Sequence, residues 1–291
     1  MTYWKDRIEK QKEILLGKSI DELNYHLATV YKSSMRDVDR DIKGLYYELI
    51  AQSDNGKVTI NDLYRYNRYW EVRNDINKRL TQLGQAQIDM MDKDLTKMYI
   101  EVQDYFNKNP KFWARSSISS SGKVQKITGL SMRPVDLNSP IVSEKAKEVV
   151  NSVWCADGLY WNQRVWKNME LLQQSLEQGL TDTIVRGISP QNAMIQIAQE
   201  QQLEGESWES AFSRSERLVR TEMSHVYNAA AVERYKDAGC IGYEWLTARD
   251  ERVCADCAEL DGQFFPFGNE EDMPPLHPNC LCTVIPVLGG K

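Results

Sequence analysis

Long apolar runs are missing from this chain. None approaches the ~20 residues that a membrane-spanning helix needs, so no membrane partner is expected. Basic surplus is missing too: the formal charge is −6, and bulk electrostatics do not advertise a nucleic-acid binder. There is no phosphate-cradling glycine loop, no dinucleotide-binding glycine pattern and no nucleophile elbow, so no reaction follows from the sequence chemistry. The opening Met1-Thr2-Tyr3-Trp4-Lys5-Asp6 runs straight into charged residues and lacks the form of a secretory signal. A reducing compartment is therefore expected, which argues against disulfides. Histidine is scarce, with three in 291 residues.

What is present is unevenly spread. Four of the six cysteines and one of the three histidines fall between Cys254 and Cys282. The stretch reads Cys254-Ala255-Asp256-Cys257, nineteen intervening residues, then His277-Pro278-Asn279-Cys280-Leu281-Cys282. A tight turn in C-x-x-C can aim two sulfurs at one point, and a second cluster beyond a loop can close a tetrahedron. Zinc takes thiolate and neutral imidazole together, and four protein ligands make a closed, structural site. Five candidates compete for four places. Cys254, Cys257 and His277 are expected, with Cys282 as the fourth ligand because the longer step from His277 gives the chain room to turn back. Cys280 is the alternative.

The apolar content of 42%, the 27% of charged residues and the eight tryptophans describe a folded chain long enough for one large domain or two ordinary ones. Apolar residues at three- and four-residue steps predict helices over most of it. A first short helix over residues 3–16 is expected to end at Gly17, with Ser19-Ile20-Asp21-Glu22 capping a second that runs to about Gln52. A long third helix follows from about Thr59 to Asn107. Its early part interleaves Tyr64, Tyr66, Tyr69 and Trp70 with Arg65, Arg68 and Arg73, a pattern read as an aromatic core face beside a solvated basic one.

Residues 115–138 contain Ser116-Ser117-Ile118-Ser119-Ser120-Ser121-Gly122 and no acid before Asp136. They read as an exposed basic, Ser-rich loop between two bodies, with Arg115, Lys123, Lys126 and Arg133 as candidates for nucleic-acid contact. Further helices are expected from Ser139-Pro140 to about Trp154, from Trp161 to Gly187, from Ser189-Pro190, and from Trp208 to Ala238. On the last, Arg220, Glu222 and His225 form a candidate polar hub, Glu222 and His225 sharing a face. After Gly239 the period shortens, and three short strands are expected near Tyr243–Thr247, Phe264–Phe265 and Thr283–Ile285. The fold class is mainly α with a small C-terminal α+β module stapled by zinc. Its divisions are a long-helix region 1–114, the loop 115–138, and a helical plus α+β domain 139–291.

Between Arg249 and Asp272 there are eight acids and two bases, so the metal stretch is not expected to face DNA phosphates. Its surroundings run Arg220-Thr221-Glu222, Tyr227-Asn228-Ala229-Ala230, Gly242-Tyr243-Glu244-Trp245, Asp250-Glu251-Arg252-Val253-Cys254, Leu260-Asp261-Gly262 and Pro274-Pro275-Leu276-His277-Pro278-Asn279-Cys280-Leu281-Cys282. That order resembles the phage head morphogenesis family, the Mu F-like minor head proteins, over roughly residues 180–288. Leu281 departs from the pattern, where a basic residue is expected.

The resemblance implies a minor head protein of a tailed phage, not an enzyme. It would be portal-associated and act in procapsid assembly and in the handling of packaged DNA. Implied partners are the portal protein, scaffold or major capsid protein, and weakly bound non-specific DNA. The implied location is the virion interior, with the host cytoplasm during assembly. An enzyme of nuclease or ADP-ribosyltransferase type, using the Arg220/Glu222/His225 region, and an accessory DNA-binding protein are the alternatives.

Overall fold

The computed structural model describes residues 10–52, 67–118, 124–155, 157–186, 207–248, 253–268 and 273–289. The expected helix from Ser189-Pro190, and Tyr64, Arg65 and Tyr66 of the aromatic-basic stretch, lie outside them.

The predicted break at Gly17 is not made. Residues 10–12 are helical, Glu13–Gly17 form one π-helical turn, and the chain continues as α1 (Lys18–Gln52). A single helical glycine costs only about 1 kcal/mol. Leu16, Ile20, Leu23 and Leu27 make one buried face across the junction, which outweighs that cost. The wide turn absorbs the extra residue and keeps that face in phase.

The remaining helices are α2 (Asn67–Lys108), α3 (Pro140–Val150), α4 (Trp161–Arg186) and α5 (Trp208–Asp237). Ser139 caps α3, its hydroxyl accepting from the Ile141 amide, and Pro140 opens the helix. α3 ends at Val150, four residues before the expected Trp154.

Contacts divide the chain into two compact units, and the division ignores the boundaries at 114 and 138. One unit comprises Met1–Leu23, Met91–Trp161 and Arg217–Lys291; the other comprises Asn24–Met90 and Asn162–Glu216. Helices α1, α2 and α5 each supply residues to both, so no single cut in the sequence separates them.

The second unit is all helical in its described residues. Val38, Ile42, Leu45 and Leu49 of α1 meet Val72, Ile76, Leu80 and Leu83 of α2 and Met169, Leu172, Leu176 and Leu180 of α4 in one core. Gly84 serves close packing: a Cβ there would lie 2.7 Å from the Trp166 ring and 3.0 Å from Met169. In this core the Tyr31 hydroxyl pairs with Ser215 at 2.6 Å and donates to Gln87 at 3.0 Å, and Asn168 donates to Ser215. Of the expected aromatic core face Tyr69 is buried, but Trp70 is exposed, with Arg73 lying over its ring and pairing with Glu177.

The first unit holds a five-stranded sheet in the order β2-β1-β5-β3-β4, formed by β1 (Lys111–Ile118), β2 (Val124–Ser131), β3 (Cys240–Leu246), β4 (Phe264–Pro266) and β5 (Thr283–Leu288). The reading of 115–138 as a loop is thus corrected. β1 and β2 pair antiparallel from Lys111↔Ser131 to Ile118↔Val124, and β1 joins β5 in parallel at Arg115↔Val287. The serine run overlaps only the end of β1, whereas Phe112, Trp113 and Ile118 of β1 and Val124, Ile127 and Thr128 of β2 are residue types that favour strands. The two form a local hairpin pair, and β1 additionally meets β5. β3 pairs antiparallel with both β4 and β5.

Candidate metal centre

Two turns of similar span present the cysteine–histidine stretch. In the first, Cys254 is extended (φ −75°, ψ 166°) and caps the short helix α6 (Ala255–Leu260), its Sγ accepting from the Cys257 amide at 3.4 Å. In the second, the Cys280 amide donates to the His277 carbonyl at 3.2 Å, with Asn279 in the left-handed region at φ 71°. Asparagine is the non-glycine residue that tolerates this conformation best. Each turn therefore sets two ligand-type side chains three residues apart on one side of the chain.

The turns face each other. His277 Nε2 lies 3.2 Å from both Cys254 Sγ and Cys257 Sγ, and Cys257 Sγ lies 3.8 Å from Cys280 Sγ. The donor atoms fall into two overlapping triads, Cys254/Cys257/His277 and Cys257/Cys280/Cys282, each within 4.8 Å of one another. His277 Nδ1 lies 2.9 Å from the Pro278 carbonyl. A carbonyl can only accept, so Nδ1 carries the proton and Nε2 turns its lone pair to the sulfurs. A void of about 10 Å³ is lined by Cys257, His277, Cys280 and Cys282 among others.

This set fits a tetrahedral ion. Two thiolates held at 2.3 Å from zinc sit about 3.8 Å apart, the Cys257–Cys280 separation. Either triad could hold a metal ion, and the two triads share Cys257.

The thiols are unevenly poised. The Cys257 amide lowers the pKa of Cys254. Hydrogen bonds from the Cys282 side chain and backbone hold Cys280 down at about 5. Burial and the neighbouring Cys280 push Cys257 up to about 12, and Cys280 together with burial raises Cys282. Burial works against protonation of His277, yet the Pro278 carbonyl and the nearby thiols leave its pKa raised.

Helix α5 carries this loop. Thr221 Oγ1 donates to the Arg217 carbonyl at 2.6 Å and accepts from the Asn279 amide at 2.9 Å. Two turns on, Asn228 donates to the Cys282 carbonyl at 3.0 Å and accepts from the Thr283 hydroxyl at 2.9 Å. Thr221 thus holds the second turn and Asn228 holds the start of β5. Sequence reasoning assigned neither a role. Their seven-residue spacing, two helical turns, was the available signal. From the other side, Trp245 of β3 is fully buried in one cluster with Cys257, Cys280 and Cys282, and its Nε1 has no hydrogen-bond partner among the described residues.

The hub residues face elsewhere. Glu222 accepts from Trp154 Nε1 at 2.9 Å. His225 stacks on the Trp154 ring with centroids 4.6 Å apart and planes 8° apart, and its Nε2 lies 3.2 Å from Ser152 Oγ. Burial drives the His225 pKa down to about 3, so the ring is neutral. The Ser152 hydroxyl donates to the Val149 carbonyl at 2.7 Å, so this pair is an anchor for residues 152–154 rather than a nucleophile and its base. Arg220, half-buried, lies one residue from each of Val219 and Thr221 on the same helix.

Of the proposed nucleic-acid contacts, Arg133 is exposed, and its carbonyl accepts from buried Arg234 at 2.9 Å. Arg115 and Lys126 lie on β1 and β2, paired with Ile127 and Ser117, and Lys123 lies outside the described residues.

Residues 174–285 match the family described as phage Mu protein F like protein. This span contains all of α5 and the entire cysteine–histidine loop. A protein of Haemophilus influenzae (strain Rd), described as uncharacterized, is 26% identical over 181 residues, which is 61% of this chain. The chain spans 37% of the length of that relative. No solved structure matches.

Proposed function

From the Mu F-like pattern of residues 174–285, we propose that this protein is a minor head component of a tailed phage, acting in head assembly by binding other head proteins. The observation that carries the reading is that the matched span contains the cysteine–histidine loop and the helix residues that hold it, Thr221 and Asn228. The portal protein is the partner we favour, with scaffold or major capsid protein as further contacts and the virion interior as the location. No helix among the described residues is long and apolar enough to cross a membrane, which accords with this setting. DNA handling would rest on the strand pair β1–β2 and its flank, where Arg115, Lys126 and Arg133 lie.

The metal in this reading is a structural zinc ion. Cys254, Cys257 and His277 hold it, and the fourth place goes to Cys280 in preference to Cys282. The reason is the matched turns: Cys280 closes the same three-residue step from His277 that Cys257 closes from Cys254. Cys282 leads directly into β5, and its carbonyl is tied to Asn228. Its thiol then serves as a donor to the Cys280 thiolate. With four protein ligands no position is open to substrate, and zinc would contribute folding energy rather than Lewis acidity.

The test is co-expression with the portal protein of the same phage, followed by size-exclusion chromatography with mass measurement. A stable complex is expected. A folded, zinc-loaded protein that elutes alone would overturn portal docking.

A further inference from the structure

The segment that leads into α1 touches the metal loop. Lys12 Nζ donates to the carbonyl of Leu281, the residue between Cys280 and Cys282. Position 281 itself offers no charge, being leucine. The lysine reaches it from 269 residues away in sequence, within the same compact unit. This contact does not stand alone. Leu16, Ile20 and Leu23 are 1%, 6% and 0% exposed, so the segment following Lys12 is packed and not merely laid on the surface.

Charge explains why a lysine belongs there. Three thiolates around a divalent ion leave one net negative charge beside the buried Cys257, Cys280 and Cys282. An ammonium bonded to the Leu281 carbonyl offsets that charge and fixes the peptide that joins Cys280 to Cys282. Groups one shell outside the ligands set their orientation, and losing one typically costs about 10–100-fold in metal affinity.

We propose that Lys12 is a positioning residue of the metal centre, and that it couples metal retention to docking of residues 10–23. The proposal rests on the zinc reading above. Coupling is reciprocal: if the docked segment tightens metal binding, bound metal tightens docking by the same factor. Loss of the ion would loosen the Leu281 peptide and free the face made by Leu16, Ile20 and Leu23.

The experiment uses the full chain, zinc-loaded, as wild type, Lys12→Met and Lys12→Arg. Zinc release to a colorimetric chelator gives the first readout. Hydrogen exchange of residues 10–23 in wild type, with and without zinc, gives the second and needs no variant to fold. Release about tenfold faster in Lys12→Met, a rate near wild type in Lys12→Arg, and loss of protection over 10–23 on zinc removal are expected. Wild-type release from Lys12→Met, or protection of 10–23 that ignores zinc, would overturn the coupling while leaving the zinc site intact. A wild-type protein that binds no zinc would sink the metal reading itself, and this proposal with it.

Discussion

The Asn279 backbone amide donates to the hydroxyl of Thr221 at 2.9 Å, across 58 residues of sequence. The acceptor sits on a helix and the donor at the left-handed corner of the second ligand turn, so one hydroxyl sets the distance between α5 and the ligands. Thr221 is nearly fully buried, at 4% exposure.

Thr221→Val keeps the shape and removes the acceptor. The buried Asn279 amide then goes unpaired, which costs about 1–3 kcal/mol. Denaturant unfolding is expected to show that loss, and Thr221→Ser should recover most of it. Equal stability of the valine and serine variants would show that the hydroxyl does not hold the turn.

Zinc should be needed for the structure of the module rather than for any chemistry. Purification without chelator is expected to give about one zinc per chain. Chelation, or Cys257→Ser, is expected to melt residues from about 240 onward, read as lost near-ultraviolet dichroism from Trp245 and its surroundings. The ligand choice has its own measurement. Cys280→Ser should lose the metal, whereas Cys282→Ser should keep it at reduced affinity. The reverse order would restore Cys282 as the fourth ligand.

Most of the helices, the meeting of the cysteines with His277 and the strand after Gly239 were legible because each is written in a local pattern: periodicity, spacing or a stop residue. Cys254, Cys257 and His277 meet because two short turns dictate it, and short turns are visible in sequence. Of the five-stranded sheet, β3, β4 and β5 were legible as the three expected short strands, while the β1–β2 pair and its junction with β5 were not. Arg115↔Val287 is a pairing between a serine-rich segment and the C-terminal strand, and nothing within either segment names the other. The same holds for Lys12 and Leu281, and for Thr221 and Asn279. The partners of the hub were likewise not legible. Glu222 and His225 receive Trp154 and Ser152, while Thr221 and Asn228, on the adjoining face, receive the metal loop.

Gly242 is the position where the small sheet tolerates least. A Cβ there would sit 2.1 Å from the Phe265 carbonyl oxygen and 2.7 Å from the Phe264 ring. Backbone cannot yield without unpairing β4 from β3, where Gly242 faces Pro266. Gly242→Ala is therefore expected to destabilise by about 2–4 kcal/mol, the range of overpacking with backbone displacement. Thermal unfolding read by fluorescence would show it. A change within about 0.5 kcal/mol would mean that the β3–β4 pairing is not tight.

Acid sensitivity should trace in part to His225. Its pKa is near 6.5 in the unfolded chain and falls to about 3 in the fold, where burial excludes the charged ring. The sign follows directly. Above pH 6.5 both states hold a neutral ring, and His225 adds no pH dependence. Between 6.5 and about 3 the unfolded chain binds a proton that the folded one refuses, so stability falls as pH falls, by about 1.4 kcal/mol per pH unit at most. His225→Gln keeps a donor toward Ser152 and cannot titrate. Loss of metal at low pH through His277 and the cysteines affects both proteins alike and cancels in the difference. The measurement is denaturant unfolding of wild type and His225→Gln at several pH values from 7.5 to 4. The wild-type curve is expected to drop more steeply below pH 6.5, and parallel curves would mean that the ring is protonated in the folded protein.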